Sequence, residues 1–110
     1  MRNSIGKKVE VIVDRPLGSR HPEYEDMLYP INYGYVPDII AGDGEEQDAY
    51  IFGVKVPVKR FSGVVIAIIV RKNDNESKWV VASPDSRFTL DEIRSAVDFQ
   101  EKYFETEIVT

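Results

Sequence analysis

Hydrophobic and polar positions alternate first at Lys8 to Asp14, where Val9, Val11 and Val13 fall on one face and Lys8, Glu10 and Ile12 on the other. A period of two marks a strand with one face toward a core. Tyr29 to Val36 is aromatic and reads as extended, with Gly34 permitting close backbone approach. Asp48 to Val56, Gly63 to Val70 and Lys78 to Ser83 are further strand-like segments, and the second is rich in the β-branched residues a buried strand favours. Pro16, Gly18 and Pro22 punctuate a loop, Asp38 to Gln47 makes an acidic turn with Gly42 and Gly44, and Lys72 to Ser77 makes a polar turn. The period then changes. Thr89-Leu90-Asp91-Glu92 matches a capping box. Ile93, Ala96, Val97, Gln100 and Phe104 follow at helical spacing, with Leu90 and Tyr103 at the edges of that face. Short strands closed by one helix predict a mainly β protein with a C-terminal helix, folded as a small barrel with the helix packed on it.

Composition narrows this picture. The chain has 110 residues, room for one domain, with no internal repeat or linker. Its longest apolar run, Val64 to Val70, is a strand's length and far short of the ~20 residues a membrane span needs. The first residues carry no apolar stretch behind their basic ones, so no signal peptide is expected, and the expected location is cytoplasmic. The absence of cysteine excludes disulfides and thiolate metal sites. A net charge of −5 argues against nucleic acid as a partner. It leaves room for a small anion held by a few bases or by metal ions on carboxylates.

Three clusters could carry chemistry. Asp43, Glu45 and Asp48 crowd a glycine turn and offer the oxygen ligands a hard cation such as Mg²⁺ requires. Taken alone, a solvated hairpin loop is the better reading of them. Asp74, Glu76 and Lys78 alternate out of a loop into a strand and would share a face if extended. A surface hairpin tip with weak ion pairs explains them as well. Tyr29, Tyr33 and Tyr35 gather beside Pro30, Asn32 and Gly34. Core packing and a hydrogen-bonding anion site account for these phenols equally. Lys8 and Glu10 share the polar face of the first strand, and Arg20 and His21 stand in the Pro/Gly-punctuated loop. Arg20 has the planar donor fork that suits phosphate, whereas a single histidine without cysteine makes no zinc site and reads as a surface or loop residue.

Order and spacing join two of these clusters. Tyr29-Pro30-Ile31-Asn32-Tyr33-Gly34-Tyr35 followed by Asp43-Gly44-Glu45-Glu46-Gln47-Asp48 resembles the central segment of family I soluble inorganic pyrophosphatases, which carry a YPxNYGY-type run and then a D-G-D-P-x-D loop. Lys8-Val9-Glu10 resembles the family's early phosphate-binding strand, and Arg20 its phosphate-binding arginine. Asp74 and Lys78 resemble its second metal loop and the lysine after it, and Tyr103 resembles a tyrosine of its last helix. The resemblance implies a small OB-like five-stranded β-barrel and hydrolysis of pyrophosphate to two phosphates with Mg²⁺, or Mn²⁺ in its place. It implies metal ligands at Asp43, Asp48 and Asp74, with Glu76 serving for a second aspartate. Phosphate would be held by Lys8, Arg20, Tyr33, Lys78 and Tyr103. Glu45 stands where an aspartate takes the water's proton, so Glu45, Asp48 and Tyr33 form the expected catalytic group. The family is oligomeric, which makes a homo-oligomer part of the same expectation.

Departures keep two other readings open. Glu45 is a methylene longer than the aspartate, Glu46 and Gln47 replace a proline and an apolar residue, and Phe104 follows Tyr103 where a lysine is usual. The second metal loop and the whole chain are shorter than in typical members, which implies a more open site. An open site suits a divergent phosphoanhydride hydrolase acting on a larger substrate such as a nucleotide. A non-catalytic phosphate- or metal-binding protein of the same fold is the third reading.

Overall fold

The computed structural model describes residues 4–72 and 76–110. Its elements, in chain order, are β1 (Lys8–Arg15), β2 (Asn32–Ile40), β3 (Glu46–Ile51), β4 (Arg60–Arg71), β5 (Ser77–Ala82), α1 (Leu90–Glu101) and β6 (Thr106–Val109). The strands lie in the order β1-β2-β3-β5-β4-β6, and an additional β1–β4 pairing closes the first five into a barrel. β3 and β5 run parallel, and the other pairings are antiparallel. The expected five-stranded OB-like barrel is therefore present. One strand comes in addition: β6 follows the helix and adds to the free side of β4, pairing Ile68 with Val109 and Arg71 with Thr106.

Two apolar layers hold the barrel. One draws Val11, Val36, Ala49, Ile51, Val65 and Val81 from all five barrel strands and fills the interior. The other packs Tyr50, Phe52, Ile69 and Val80 on the outer face against Ile93 and Val97 of α1. Each such side chain, fully buried, is worth about 1.5–3 kcal/mol. In β4 the register shifts between Val65 and Ala67, a bulge that puts these two residues in different layers although they stand two positions apart. The helix begins as its sequence dictates. Thr89 accepts from the Glu92 N–H at 3.1 Å, and the Glu92 carboxylate accepts from the Thr89 N–H at 2.8 Å.

β2 carries the Tyr-rich motif with its two faces divided. Asn32, Gly34 and Val36 are buried on one, and Tyr33 and Tyr35 are half-buried on the other. The Asn32 side chain works as a structural clasp: its Oδ1 accepts from the N–H groups of Leu17 (2.9 Å) and Val58 (3.3 Å), and its Nδ2 donates to the Val56 carbonyl (2.9 Å). β3 ends at Ile51, short of the expected Val56, and Gly53 follows with φ of +85°, a left-handed turn that breaks the extended run.

Gly34 is where β1 and β2 approach most closely. A Cβ there would sit 1.9 Å from the Ile12 carbonyl oxygen and 2.8 Å from Val13 Cα, both backbone atoms that cannot swing aside. Gly34→Ala is expected to cost about 3 kcal/mol or more, the upper end for forced overpacking. Gly44→Ala, at a turn with φ of +85° and open space, should cost only the left-handed strain of about 1–2 kcal/mol. Urea midpoints of the two variants check the order, and equal midpoints would refute the close approach.

Candidate active site

The parallel β3–β5 register pairs Ala49 with Trp79, so one step earlier Asp48 stands beside Lys78. The Lys78 side chain is 4% exposed, and an ammonium so enclosed must be neutralised. Its Nζ donates to Asp48 Oδ2 at 2.5 Å, to the Tyr33 hydroxyl at 3.0 Å and to Glu76 Oε1 at 3.3 Å. Burial first, and then the charge of Asp48, pushes the Tyr33 phenol far above its ordinary range. Tyr33 therefore stays a neutral phenol, never a phenolate, across any working pH.

Glu76 links this cluster to a second buried cation. Arg71 Nη1 donates to Glu76 Oε2 at 2.5 Å, and its Nε and Nη2 form a bidentate pair with Glu101, both at 2.9 Å. Arg71 and Glu101 are 6% and 4% exposed. The Phe104 ring covers the guanidinium, 3.6 Å from carbon to ring centroid, a cation–π contact strengthened by desolvation. The Tyr50 hydroxyl donates to Glu101 Oε2 (2.6 Å), Gln100 Nε2 donates to Tyr50 (2.7 Å), and the Tyr29 hydroxyl donates to Gln100 Oε1 (3.1 Å). Burial, then Glu101, pushes the Tyr50 phenol well up, which fixes it as the donor. One hydrogen-bonded chain thus runs from Asp48 to Tyr29 through two cations and three carboxylates.

This chain floors a cavity of about 1030 Å³ to which Tyr33, Asp48, Lys78 and Arg71 contribute. One wall is a small hairpin inside the 16–31 loop. It is held by Gly18 N–H to Tyr29 carbonyl (2.7 Å), Tyr29 N–H to Ser19 carbonyl (2.9 Å) and His21 N–H to Met27 carbonyl (2.8 Å). Against Tyr29 of that hairpin stand Phe99, 5.4 Å between ring centroids, and Gln100 of α1, and Lys102, Tyr103 and Phe104 beyond the helix also line the cavity. Asp14 and Arg15, at the end of β1, complete the rim, and burial raises the Asp14 carboxyl against the opposing pull of Arg15.

Of the residues singled out in the sequence, Tyr29, Tyr33, Asp48, Lys78 and Tyr103 line this cavity, Tyr35 does not, and Glu76 touches Lys78 from outside the lining. Asp43 and Glu45 stand at the exposed tip of the β2–β3 hairpin, where Asp43 Oδ1 accepts from the Glu45 N–H at 3.0 Å. Lys8 is exposed on β1 opposite Val64. Arg20 is exposed and donates to the Glu25 carbonyl at 2.8 Å. None of these four lines the cavity. Asp74 lies outside the described residues. His21, read as a loop residue, is in the loop but faces the cavity: its ring stacks on Tyr29 (6.1 Å, 7°), and its Nδ1 accepts from the Glu23 N–H at 3.0 Å. Arg71, Glu101, Arg15, Phe99 and Lys102 were not signalled as site residues.

Among the described residues no three or more of His, Asp and Glu gather as a ready metal cage. Mg²⁺ ordinarily binds through one or two carboxylates together with substrate phosphates and waters. Asp48, 31% exposed on the cavity floor, fits that arrangement.

The closed five-stranded barrel with its C-terminal helix is an OB-like fold with a large cavity on one side. Solved structures narrow this. An inorganic pyrophosphatase from Ehrlichia chaffeensis superposes with a TM-score of 0.71 at 21% identity, covering 94% of this chain and 85% of that one. One from Neisseria gonorrhoeae superposes at 0.68 and 19%, covering 89% and 74%. In sequence, an inorganic pyrophosphatase of Mesorhizobium japonicum is 28% identical over an alignment of 104 positions, covering 74% of this chain and 57% of the relative. One of Xylella fastidiosa is 31% identical over 65 positions, covering 44% and 36%. No protein-family model matches the chain. The chain has the inorganic pyrophosphatase fold and is a divergent relative of those proteins in sequence, spanning little more than half the length of the curated relatives it matches or less. Among the described residues, no helix is long and apolar enough to cross a membrane.

The buried Arg71–Glu101 pair generates a stability test. Arg71→Met strands the Glu101 charge and is expected to cost about 3–5 kcal/mol. Arg71→Lys keeps a charge but loses the fork, so it should fall between wild type and Arg71→Met. Denaturant midpoints read the order, and an Arg71→Met midpoint equal to wild type would refute the pair's role.

Proposed function

We propose that residues 1–110 act as a single pyrophosphatase-like domain that hydrolyses inorganic pyrophosphate to two phosphates with a divalent cation, Mg²⁺ or Mn²⁺. The observation that carries the reading is the Tyr33–Asp48–Lys78 cluster. Three residues of the family-like motifs meet through hydrogen bonds on the floor of one cavity.

The charge balance supports the metal. Arg71 and Lys78 are already matched by Asp48, Glu76 and Glu101, so the network holds no surplus positive charge for a polyanion. Asp48 would hold a divalent cation, which would supply that charge and make a bound water more acidic. Lys78 holds an oxygen of the leaving phosphate by rotating a donor from Asp48, and the neutral Tyr33 phenol donates a hydrogen bond to the same oxygen. Asp48 accepts the water's proton once Lys78 turns to the substrate. The Glu76 carboxylate keeps Lys78 in place, and Tyr103, 66% exposed on the cavity lining, makes no phosphate contact in this mechanism. Arg20, Asp43 and Glu45, named on the resemblance, contribute only if the loop and hairpin tip that bear them close over bound substrate, and Lys8, on the paired barrel strand β1, stays outside the cavity.

Phosphate release from Mg²⁺-pyrophosphate is the measurement. Asp48→Asn is expected to lower kcat at least a hundredfold, in line with losing a general base. Lys78→Met should lower kcat/KM by a similar factor. Glu45→Gln is expected to change the rate less than tenfold, as its place outside the cavity suggests. A loss with Glu45→Gln as large as with Asp48→Asn would put Glu45 back into the reaction. A wild type that binds Mg²⁺-pyrophosphate and releases no phosphate would leave a binding protein instead.

A further inference from the structure

The cavity is far larger than pyrophosphate needs. Clefts that bury a drug-sized ligand run from about 300 to 1,000 Å³, and this one holds about 1030 Å³. Its walls are also the wrong chemistry for a bare anion. Of six large hydrophobic side chains left exposed on the described surface, three stand at this one cavity: Tyr24 (60% exposed), Tyr103 (66%) and Leu28 (49%). A phosphate site gains nothing from exposed rings at its mouth. A flat aromatic group carried by the phosphate would.

The rings are also ordered along the cavity. Tyr24 packs on His21 at 5.0 Å, His21 stacks on Tyr29 at 6.1 Å, and Tyr29 stacks on Tyr33 at 5.7 Å. The Tyr33 hydroxyl then meets Lys78. A ladder of rings thus leads from the exposed mouth to the buried ammonium. Lys102, at 5.4 Å from the Tyr103 ring, adds a cation at the mouth.

Building on the phosphate-site reading above, we infer that this site takes nucleoside di- and triphosphates, with the base stacked at Tyr24 and Tyr103 and the terminal phosphate at Lys78. Water attacks the terminal phosphorus, and the bond from that phosphorus to its bridging oxygen breaks. The electron pair stays on the bridging oxygen of the departing nucleotide, inorganic phosphate forms, and the proton is lost to solvent. Base–aromatic stacking tolerates any base, since each has a π-face, so little discrimination among bases is expected.

Calorimetric titration of the full chain with Mg²⁺-ADP and with Mg²⁺-pyrophosphate tests this, for wild type, Tyr24→Ala and Tyr24→Phe. Tyr24 is exposed, so its substitution leaves the core intact. Tyr24→Ala is expected to weaken ADP binding roughly five- to tenfold, the lower end for one stacked base. Pyrophosphate affinity should stay within about twofold, and Tyr24→Phe should restore ADP binding, because the ring matters and the hydroxyl does not. Pyrophosphate binding without ADP binding overturns the nucleotide inference alone, as does equal weakening of both ligands by Tyr24→Ala. ADP binding without pyrophosphate binding upholds the inference and overturns the pyrophosphatase reading. If neither ligand binds, both fall.

Discussion

A guanidinium enclosed by protein cannot shed its proton, so something must neutralise it wherever the fold puts it. Arg71 ends β4 at that point of enclosure, and the structure around it is arranged to meet the demand. Glu101 closes on it from the last turn of α1, Glu76 from the start of β5, and Phe104 from beyond the helix. The pair therefore fixes where the helix ends relative to the barrel. Through Glu76 it also fixes where Lys78, and with it Asp48, can sit. The candidate site is the far end of a chain whose anchor is a buried ion pair.

That dependence explains which features were legible in the sequence. β1 and α1 were readable because their information is local: a period of two at Val9, Val11 and Val13, and a capping box at Thr89 and Glu92. The Tyr-rich strand and the acidic hairpin were readable as an ordered pair of motifs. β6 was not, because Thr106–Val109 is only four residues long and owes its extended form to pairing with β4. Arg71 and Glu101 stand thirty positions apart, and each alone looks like an ordinary surface charge at an element's end. Only their meeting makes them core residues, and no local pattern records it.

The site was partly legible for the same reason. Tyr33, Asp48 and Lys78 lie on paired strands, where the period of two and the β3–β5 register carry side chains to a common place. Asp43 and Glu45 lie past the last β2–β3 rung, on a turn whose direction no strand register dictates, and the turn leaves them at the surface. Asn32 shows the converse. It belongs to the motif as firmly as Tyr33, but it points to the opposite face and serves the loops instead of the cavity.

Phe104 changes its meaning in this light. As a departure from a lysine it reads as a lost cation and weakened chemistry. In the fold it is the lid on Arg71, excluding water from a guanidinium that a second ammonium would instead repel. Lys102 lies on the cavity lining close by, so a cation is still available at that wall. A ring where a charge might stand also makes the cavity lining, which includes Tyr103 and Tyr24, more apolar. The substitution that weakens the case for an unaltered pyrophosphate site thus belongs with the aromatic walls and the large cavity. All three pull toward a phosphate carrying something flat and hydrophobic behind it.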